Sequence, residues 1–380
     1  MTGTASESNT AKLLPYFTLD AWRGAASFMV MMYHLERVLA LQYSCYALFL
    51  VPFRYGNLGV NVFFVISGYC IAAASGASLR KQHSALVFAK ARLRRIFPTY
   101  WAALALTSLA AVAAEIYLQT GHPIHSDLAR LMILNHSPLW YLTNLTLTNV
   151  ATGATFVVPQ AWTLCYEAAF YLVMATLLWL AGQRMGEEAM LWGAHIITGA
   201  AVVLLWMHKS IYPLEMWPDF GCGVVVYHWV RFRQKLPVAL LSAGLFIFSV
   251  SMLFQPAVFS PEGYLCSWCL MLLLIFLQPY DTALSRSQFI RPLLSLGVFS
   301  YSLYLTHTLV LGVVSQLLRR FFHPGNAGLS TPTALMVCIF TALPAVFFAR
   351  IFFQYFERPF LSASGKARIA QELTTAPSTP

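Results

Sequence analysis

Ten predominantly apolar stretches, each about the length of a bilayer crossing, divide the chain at roughly 17–40, 58–77, 97–118, 159–181, 189–207, 214–230, 237–254, 264–279, 294–317 and 332–353. The 380 residues are 58% hydrophobic and only 10% charged, whereas soluble domains carry ~25% charged residues. The pattern predicts an all-α membrane protein, a bundle of about ten transmembrane helices. Residues 1–16 are expected as a disordered cytoplasmic N-terminus, 17–360 as one transmembrane domain and 361–380 as a disordered cytoplasmic tail. The first span is expected to be retained. It is long for a signal peptide, it contains Arg23, His34 and Glu36, and no small-residue cleavage site follows it.

Basic residues set the expected orientation. With the N-terminus inside, six of the 24 Lys and Arg residues fall outside (Arg37, Arg54, Arg130, Lys209, Arg319 and Arg320), and the rest gather in cytoplasmic loops and ends. That bias predicts that both termini are cytoplasmic. It also accounts for the net charge of +10 without nucleic acid, because the charge sits in short loops beside apolar spans. The 119–158 connection then falls outside, with an amphipathic stretch at 127–149 suited to the interface. Of seven cysteines, Cys266 and Cys269 form a C-x-x-C with no second pair; packing is the expected role, and no metal site is expected.

Ionisable residues inside apolar spans are costly and mark functional sites. The first span carries Arg23 and, eleven residues on, His34. Eleven helical steps return His34 to within ~20° of Arg23 around the axis and ~16 Å along it. The run Lys90-Ala-Arg92-Leu-Arg94-Arg95 places Arg92 and Arg95 on one helical face. Such a pair serves equally as a positive-inside anchor or as a clamp for a polyanion such as the nucleotide end of coenzyme A. Glu167, in AWTLCYEAAFYL, lies ~12 Å below the outer edge of its span. His34 and His307, the latter in SYSLYLTH, are expected at a comparable depth, so the three form a candidate cluster. Asn61 and Ser67 in GVNVFFVISGY can hydrogen-bond between helices, where Gly59 and Gly68 permit close approach. Tyr304 and Asp219 complete the candidate polar pathway, and Glu357 marks the cytoplasmic exit of the last span.

Taken in order, the Arg23/His34 pair, GVNVFFVISGY at 59–69, Arg92-x-x-Arg95 in RLRRIFPTYW, AWTLCYEAAFYL at 161–172, SYSLYLTH at 300–307 and FERPF at 356–360 form a pattern. In these residues the chain resembles acyltransferase family 3, integral-membrane enzymes that O-acylate exported glycans and other acceptors. Cys165-Tyr166-Glu167 departs from the Ser-Val-Glu-like sequence common there, but the Glu is kept. The resemblance implies a ten-helix domain in the cytoplasmic (inner) membrane. It uses acyl-coenzyme A, acetyl-coenzyme A foremost, as a cytoplasmic donor substrate, binds no cofactor permanently, and takes a glycan acceptor on the outer side. It further implies Arg23 and His34 as the essential pair and Arg92 and Arg95 as donor contacts. Imidazole suits a general base or an acyl carrier near neutral pH, so His34 is assigned one of those roles, with Glu167 orienting the acceptor. A glycan or lipid transporter or flippase with an intramembrane polar pathway is the alternative reading. It lacks support from inverted repeats or paired broken helices.

Overall fold

The computed structural model describes residues 16–43, 48–119, 136–181, 185–255, 261–319, 321 and 329–361. The expected disordered ends at 1–15 and 362–380, and residues 127–135 of the amphipathic stretch, lie outside them. Among the described residues all regular structure is helical. The α-helices are α1 (Leu19–Tyr43), α2 (Gly59–Arg80), α3 (Ala85–Gln119), α4 (Pro138–Thr146), α5 (Asn149–Thr152), α6 (Trp162–Ala181) and α7 (Gly186–Trp206). They continue as α8 (Trp217–Phe232), α9 (Lys235–Met252), α10 (Pro261–Leu277), α11 (Asp281–Ser285), α12 (Arg291–Val298), α13 (Ser300–Leu318) and α14 (Thr331–Phe352).

Eight helical stretches are long and apolar enough to cross a membrane: α3, α6, α7, α9, α13, α2 with the turns before it (Leu48–Arg80), α10 continued through α11 (Pro261–Ser285) and α14 with the turns after it (Thr331–Phe360). Two of the ten expected spans fall outside this set, and each for a physical reason. Helix α8 has 16 residues, about 24 Å at 1.5 Å per residue, against a hydrocarbon layer of ~30 Å. Helix α1 carries Asp20, Arg23, Glu36 and Arg37. Both are central instead. Every residue from Trp217 to His228 is buried, with α2, α7, α9 and α10 packed around α8. Helix α1 packs against α2, α12, α13 and α14. A helix covered on all sides by protein needs neither the length nor the apolarity of one that faces lipid.

Two other expected boundaries are corrected. The ninth expected span is two helices, α12 and α13, broken at Phe299 (φ −118°, ψ 23°). The break exposes the N–H groups that begin α13, and buried Glu357 meets them, accepting from Ser302 N at 3.1 Å and Ser302 Oγ at 2.6 Å. The basic run before the third expected span belongs to the helix: α3 is continuous over 35 residues, about 52 Å, and carries Arg92 and Arg95 on it. The described part of the amphipathic stretch, α4, is tied to α3 by Tyr100 Oη on the Asn144 carbonyl (2.6 Å) and Trp101 Nε1 on that of Leu145 (2.9 Å).

Two reciprocal glycine contacts bring the central helices together. A methyl group on Gly223 of α8 would lie 1.9 Å from the Val65 carbonyl oxygen of α2, and one on Gly68 would lie 2.1 Å from that of Phe220. Likewise a methyl group on Gly24 of α1 would lie 2.0 Å from the Leu293 carbonyl oxygen, and one on Gly297 of α12 would lie 2.0 Å from that of Asp20. Small residues at such crossings let backbones touch where lipid offers no hydrophobic drive for association. At the end of the bundle holding the last turns of α2 and α8, Glu187 of α7 accepts from Arg80 (2.5 Å), Arg231 (3.3 Å) and Tyr227. Arg80 and Arg231, assigned to one side from sequence, thus meet on one side. Substituting Gly223→Val should lower stability by ~1–3 kcal/mol, the usual cost of overpacking, read as a fall in the melting midpoint in nanodiscs. Gly244→Ala, where an added methyl meets nothing within 4 Å, should leave that midpoint in place.

Candidate functional site

A cavity of about 470 Å³ runs between α1, α2, α3, α6 and α13. Its walls follow helical spacing. Helix α6 contributes Thr163, Glu167 and Tyr171 at intervals of four, and α2 contributes Val60, Phe63, Phe64, Ser67, Cys70 and Ile71 at intervals of three and four. From Val60 to Ala73 the α2 wall extends about 20 Å. Arg23 of α1 and Arg92 and Arg95 of α3 line the same space, so three cations assigned from distant parts of the sequence converge. Glu167 is the one carboxylate among the lining residues.

The position of Arg23 is fixed from several directions. Buried Asp281 of α11 accepts from Phe17 N (2.7 Å), Thr18 N (2.8 Å) and Thr18 Oγ1 (2.7 Å), capping the start of α1. The α1–α12 glycine contact holds the next turn. The Arg23 guanidinium pairs with Asp20 Oδ1 at 3.2 Å and reaches Cys70 Sγ at 3.3 Å. Glu167 accepts from Ser67 Oγ (3.2 Å) and Tyr171 Oη (2.7 Å). Among the described residues Arg92 and Arg95 form no ion pair, and the buried Arg92 Nε has no partner. With Arg23 paired to Asp20, Arg92 and Arg95 against Glu167 leave the lining side chains with net positive charge, a setting for anionic groups at low dielectric.

The expected cluster of His34, His307 and Glu167 does not assemble as such. The two histidines do meet, with ring centroids 5.1 Å apart, but neither lines the cavity that holds Glu167. Depth along a helix is what sequence supplies, and the rotation that decides which face meets which comes from packing. Half-buried His34 packs edge-on against Tyr33. Fully buried His307 places Nδ1 3.0 Å from the Leu303 carbonyl. A carbonyl only accepts, so Nδ1 carries the proton and Nε2 of the neutral ring is a bare acceptor; it has no partner among the described residues. Tyr304 joins the two places. It lines the cavity, packs 6.0 Å from His307 and 5.3 Å from Phe63, and hydrogen-bonds Thr163 Oγ1 at 3.0 Å.

Asn61 and Asp219 stand apart from the cavity: Asn61 Nδ2 donates to Asp219 Oδ1 at 3.2 Å in a separate small pocket. Residues that the sequence pattern does not single out also shape the site. Gln160 clamps α13 beside His307, donating to the Tyr304 (3.0 Å) and Leu305 (2.6 Å) carbonyls and accepting from Thr308 Oγ1 (3.0 Å). Thr163 and Tyr171 are legible in retrospect as the i±4 neighbours of Glu167; Cys70 and Gln160 carry no such signal.

A family model described as an acyltransferase domain matches residues 16–350. The chain is 28% identical over 339 residues to BcsY of Komagataeibacter xylinus, which is named for a membrane-bound transacylase; the alignment covers 84% of this chain and 79% of BcsY. It is 27% identical over 327 residues to the exopolysaccharide production protein ExoZ of Rhizobium meliloti, covering 83% of this chain and 92% of ExoZ. No solved structure matches.

The cavity is open to a chemical probe at Cys70, which is partly exposed while Cys165 and Cys222 are buried. A sulfonated methanethiosulfonate should modify Cys70 and spare Cys165 and Cys222, as read by peptide mass spectrometry. Because three arginines line the cavity, it should react roughly tenfold faster at low salt than its cationic counterpart, and salt should shrink the difference.

Proposed function

The chain belongs to acyltransferase family 3, and on that premise we propose that it is a multi-pass inner-membrane O-acyltransferase. It moves an acyl group, acetyl foremost, from cytoplasmic acyl-coenzyme A to a hydroxyl of an exported glycan. In this reading α1 and α8 cross the membrane inside a sheath of the eight apolar helices, and both termini are cytoplasmic. The observation that carries it is the convergence of Arg23, Arg92 and Arg95 on one deep cavity. A volume of about 470 Å³ falls within the ~300–1,000 Å³ of small-molecule sites. Relatedness to a protein named for exopolysaccharide production supports a glycan as acceptor.

The donor phosphates bind Arg92 and Arg95, and the arm bearing the thioester extends along α2 past Arg23. Helix α1 is unbroken from Leu19 to Tyr43, so the ~16 Å spacing of Arg23 and His34 stands. Arg23 serves the donor, and His34 serves the acceptor. The acceptor hydroxyl attacks the thioester carbonyl carbon and its proton passes to the His34 imidazole. The C–S bond breaks, and the sulfur leaves with the electron pair and takes up the proton that His34 collected, which resets His34. The His307 ring lies beside His34 with Nε2 bare, an acceptor that steadies the imidazolium formed on His34. Glu167 holds the cavity wall through Ser67 and Tyr171 and balances the arginines. Tyr304 lines the cavity and packs against His307, so the reaction requires its side chain to turn aside.

Transfer of label from acetyl-coenzyme A to membrane glycan tests the reading. His34→Ala should lower kcat by ~10²–10⁴ with normal amounts of folded protein in the membrane; retained turnover would remove His34 from the chemistry. Arg92→Ala with Arg95→Ala should raise the KM for acetyl-coenzyme A by at least ~10-fold, since hydrogen bonds to charged groups contribute ~1.5–3 kcal/mol. An unchanged KM would place the donor elsewhere.

A further inference from the structure

A second, smaller pocket of about 80 Å³ adjoins the cavity and shares two wall residues with it, Val60 and Phe64. The rest of its lining is Asn57, Asn61, Trp162, Met216, Asp219 and Tyr264. Asp219 is completely buried. Its Oδ1 accepts from Asn61 Nδ2 (3.2 Å) and Ser267 Oγ (2.5 Å), whereas Oδ2 has no partner among the described residues. Leaving a buried carboxylate oxygen without a donor costs ~1–3 kcal/mol or more. Such an atom is better explained by a ligand than by packing. The backbone also makes room for this arrangement. A methyl group on Gly263 of α10 would lie 2.5 Å from Asn61 Nδ2, so a glycine there is what lets the carboxamide reach Asp219.

Resting on the acyltransferase reading above, the geometry points to this pocket as the acceptor subsite, which takes one hydroxyl-bearing edge of a neutral sugar. Asp219 Oδ2 accepts as a carboxylate oxygen and donates as a neutral acid, and a sugar hydroxyl, donor and acceptor at once, satisfies it in either form. The aromatic and apolar walls, Phe64, Trp162 and Met216, suit the C–H faces of a sugar ring. The volume holds two to three water-sized groups, at ~30 Å³ each. That admits a hydroxymethyl or vicinal-diol edge and leaves the remainder of the ring outside. A metal cation fits poorly. Hard cations take about six oxygen ligands, while here Asn61 Nδ2 is spent on Asp219 and the Tyr264 hydroxyl donates to the Glu215 carbonyl (2.7 Å). Pocket residues also sit in or near the first turns of α2, α6, α8 and α10, whose positive ends repel a cation. Val60 and Phe64 line both spaces, so a sugar anchored here sits beside the donor cavity.

The experiment uses the full chain in nanodiscs, with labelled acetyl-coenzyme A and three probe acceptors, the methyl glycosides of glucose, galactose and mannose. Asp219→Asn keeps an oxygen for Asn61 and Ser267 and replaces only the free acceptor with a donor. Gly263→Ala displaces Asn61 without touching Asp219, and supplies a second reading should the first variant melt early. The expected result is saturable transfer to at least one glycoside, with a KM for that glycoside at least tenfold higher in both variants and a KM for acetyl-coenzyme A within twofold. A glycoside KM that neither variant moves would overturn the subsite. So would absence of label in all three glycosides while acetyl-coenzyme A still binds, or a sodium requirement that Asp219→Asn abolishes. Failure of the unmodified chain to bind acetyl-coenzyme A would instead overturn the acyltransferase reading itself.

Discussion

Direct backbone contact between α2 and α8, through Gly68 and Gly223, is the constraint on which the interior is built. Lipid gives helices no hydrophobic reason to associate, so close van der Waals approach and interhelical hydrogen bonds must supply it. Once the two backbones touch, what lies on either side follows. Asn61 reaches Asp219 toward one end, and Tyr69 meets Tyr227 edge-on at 5.7 Å toward the other. Helix α8 can be short because it is wrapped, and α2 is left with its remaining faces free to line a cavity.

That cavity gathers charges that would be prohibitive if they faced lipid. Arg23 has its own carboxylate in Asp20, but Arg92 and Arg95 have no ion-pair partner among the described residues, and Glu167 alone stands opposite. An uncompensated array of this kind is stable only where water or an anionic ligand reaches it. The placement of Arg23, held by the Asp281 cap and the α1–α12 glycine contact, shows that the fold spends specific contacts on keeping a guanidinium there. On the two flanks of the cavity stand unlike chemistries. Beyond Tyr304 lies the histidine pair, and beside the cavity, sharing Val60 and Phe64 with it, lies the Asp219 pocket. In the function we propose, donor, base and acceptor each have a separate place around one space.

Several residues were legible because helices impose periodicity. Arg92 and Arg95 share a face in sequence and share the cavity in space, and the polar positions of α6 recur every four residues down to the wall they form. Ser67 and Asn61 do hydrogen-bond between helices, with Glu167 and Asp219. Other features escaped the same reasoning. Hydropathy measures tolerance of lipid, so it does not distinguish α1 and α8, whose neighbours are protein, from the helices that are long and apolar enough to face lipid. It ran α12 and α13 together because a break at Phe299 changes no residue's polarity, and the capping carboxylate comes from Glu357, far along the chain. The depth count put Glu167 level with His34 and His307, but depth leaves rotation about each helix axis undetermined.

By itself, then, the sequence determined an all-helical membrane bundle, the family through its ordered motifs, and the identity of the ionisable residues too costly to be incidental. Those follow from local properties: the transfer cost of each side chain and its spacing along one helix. Only the tertiary structure decided which of those residues face one another. It joined Arg23 to Arg92 and Arg95, separated Glu167 from the histidines, and left Asp219 on a pocket wall with one oxygen lacking a partner among the described residues. Such pairings depend on where glycines let backbones cross and on the rotation of each helix about its axis, and both arise from contacts between residues far apart in the chain.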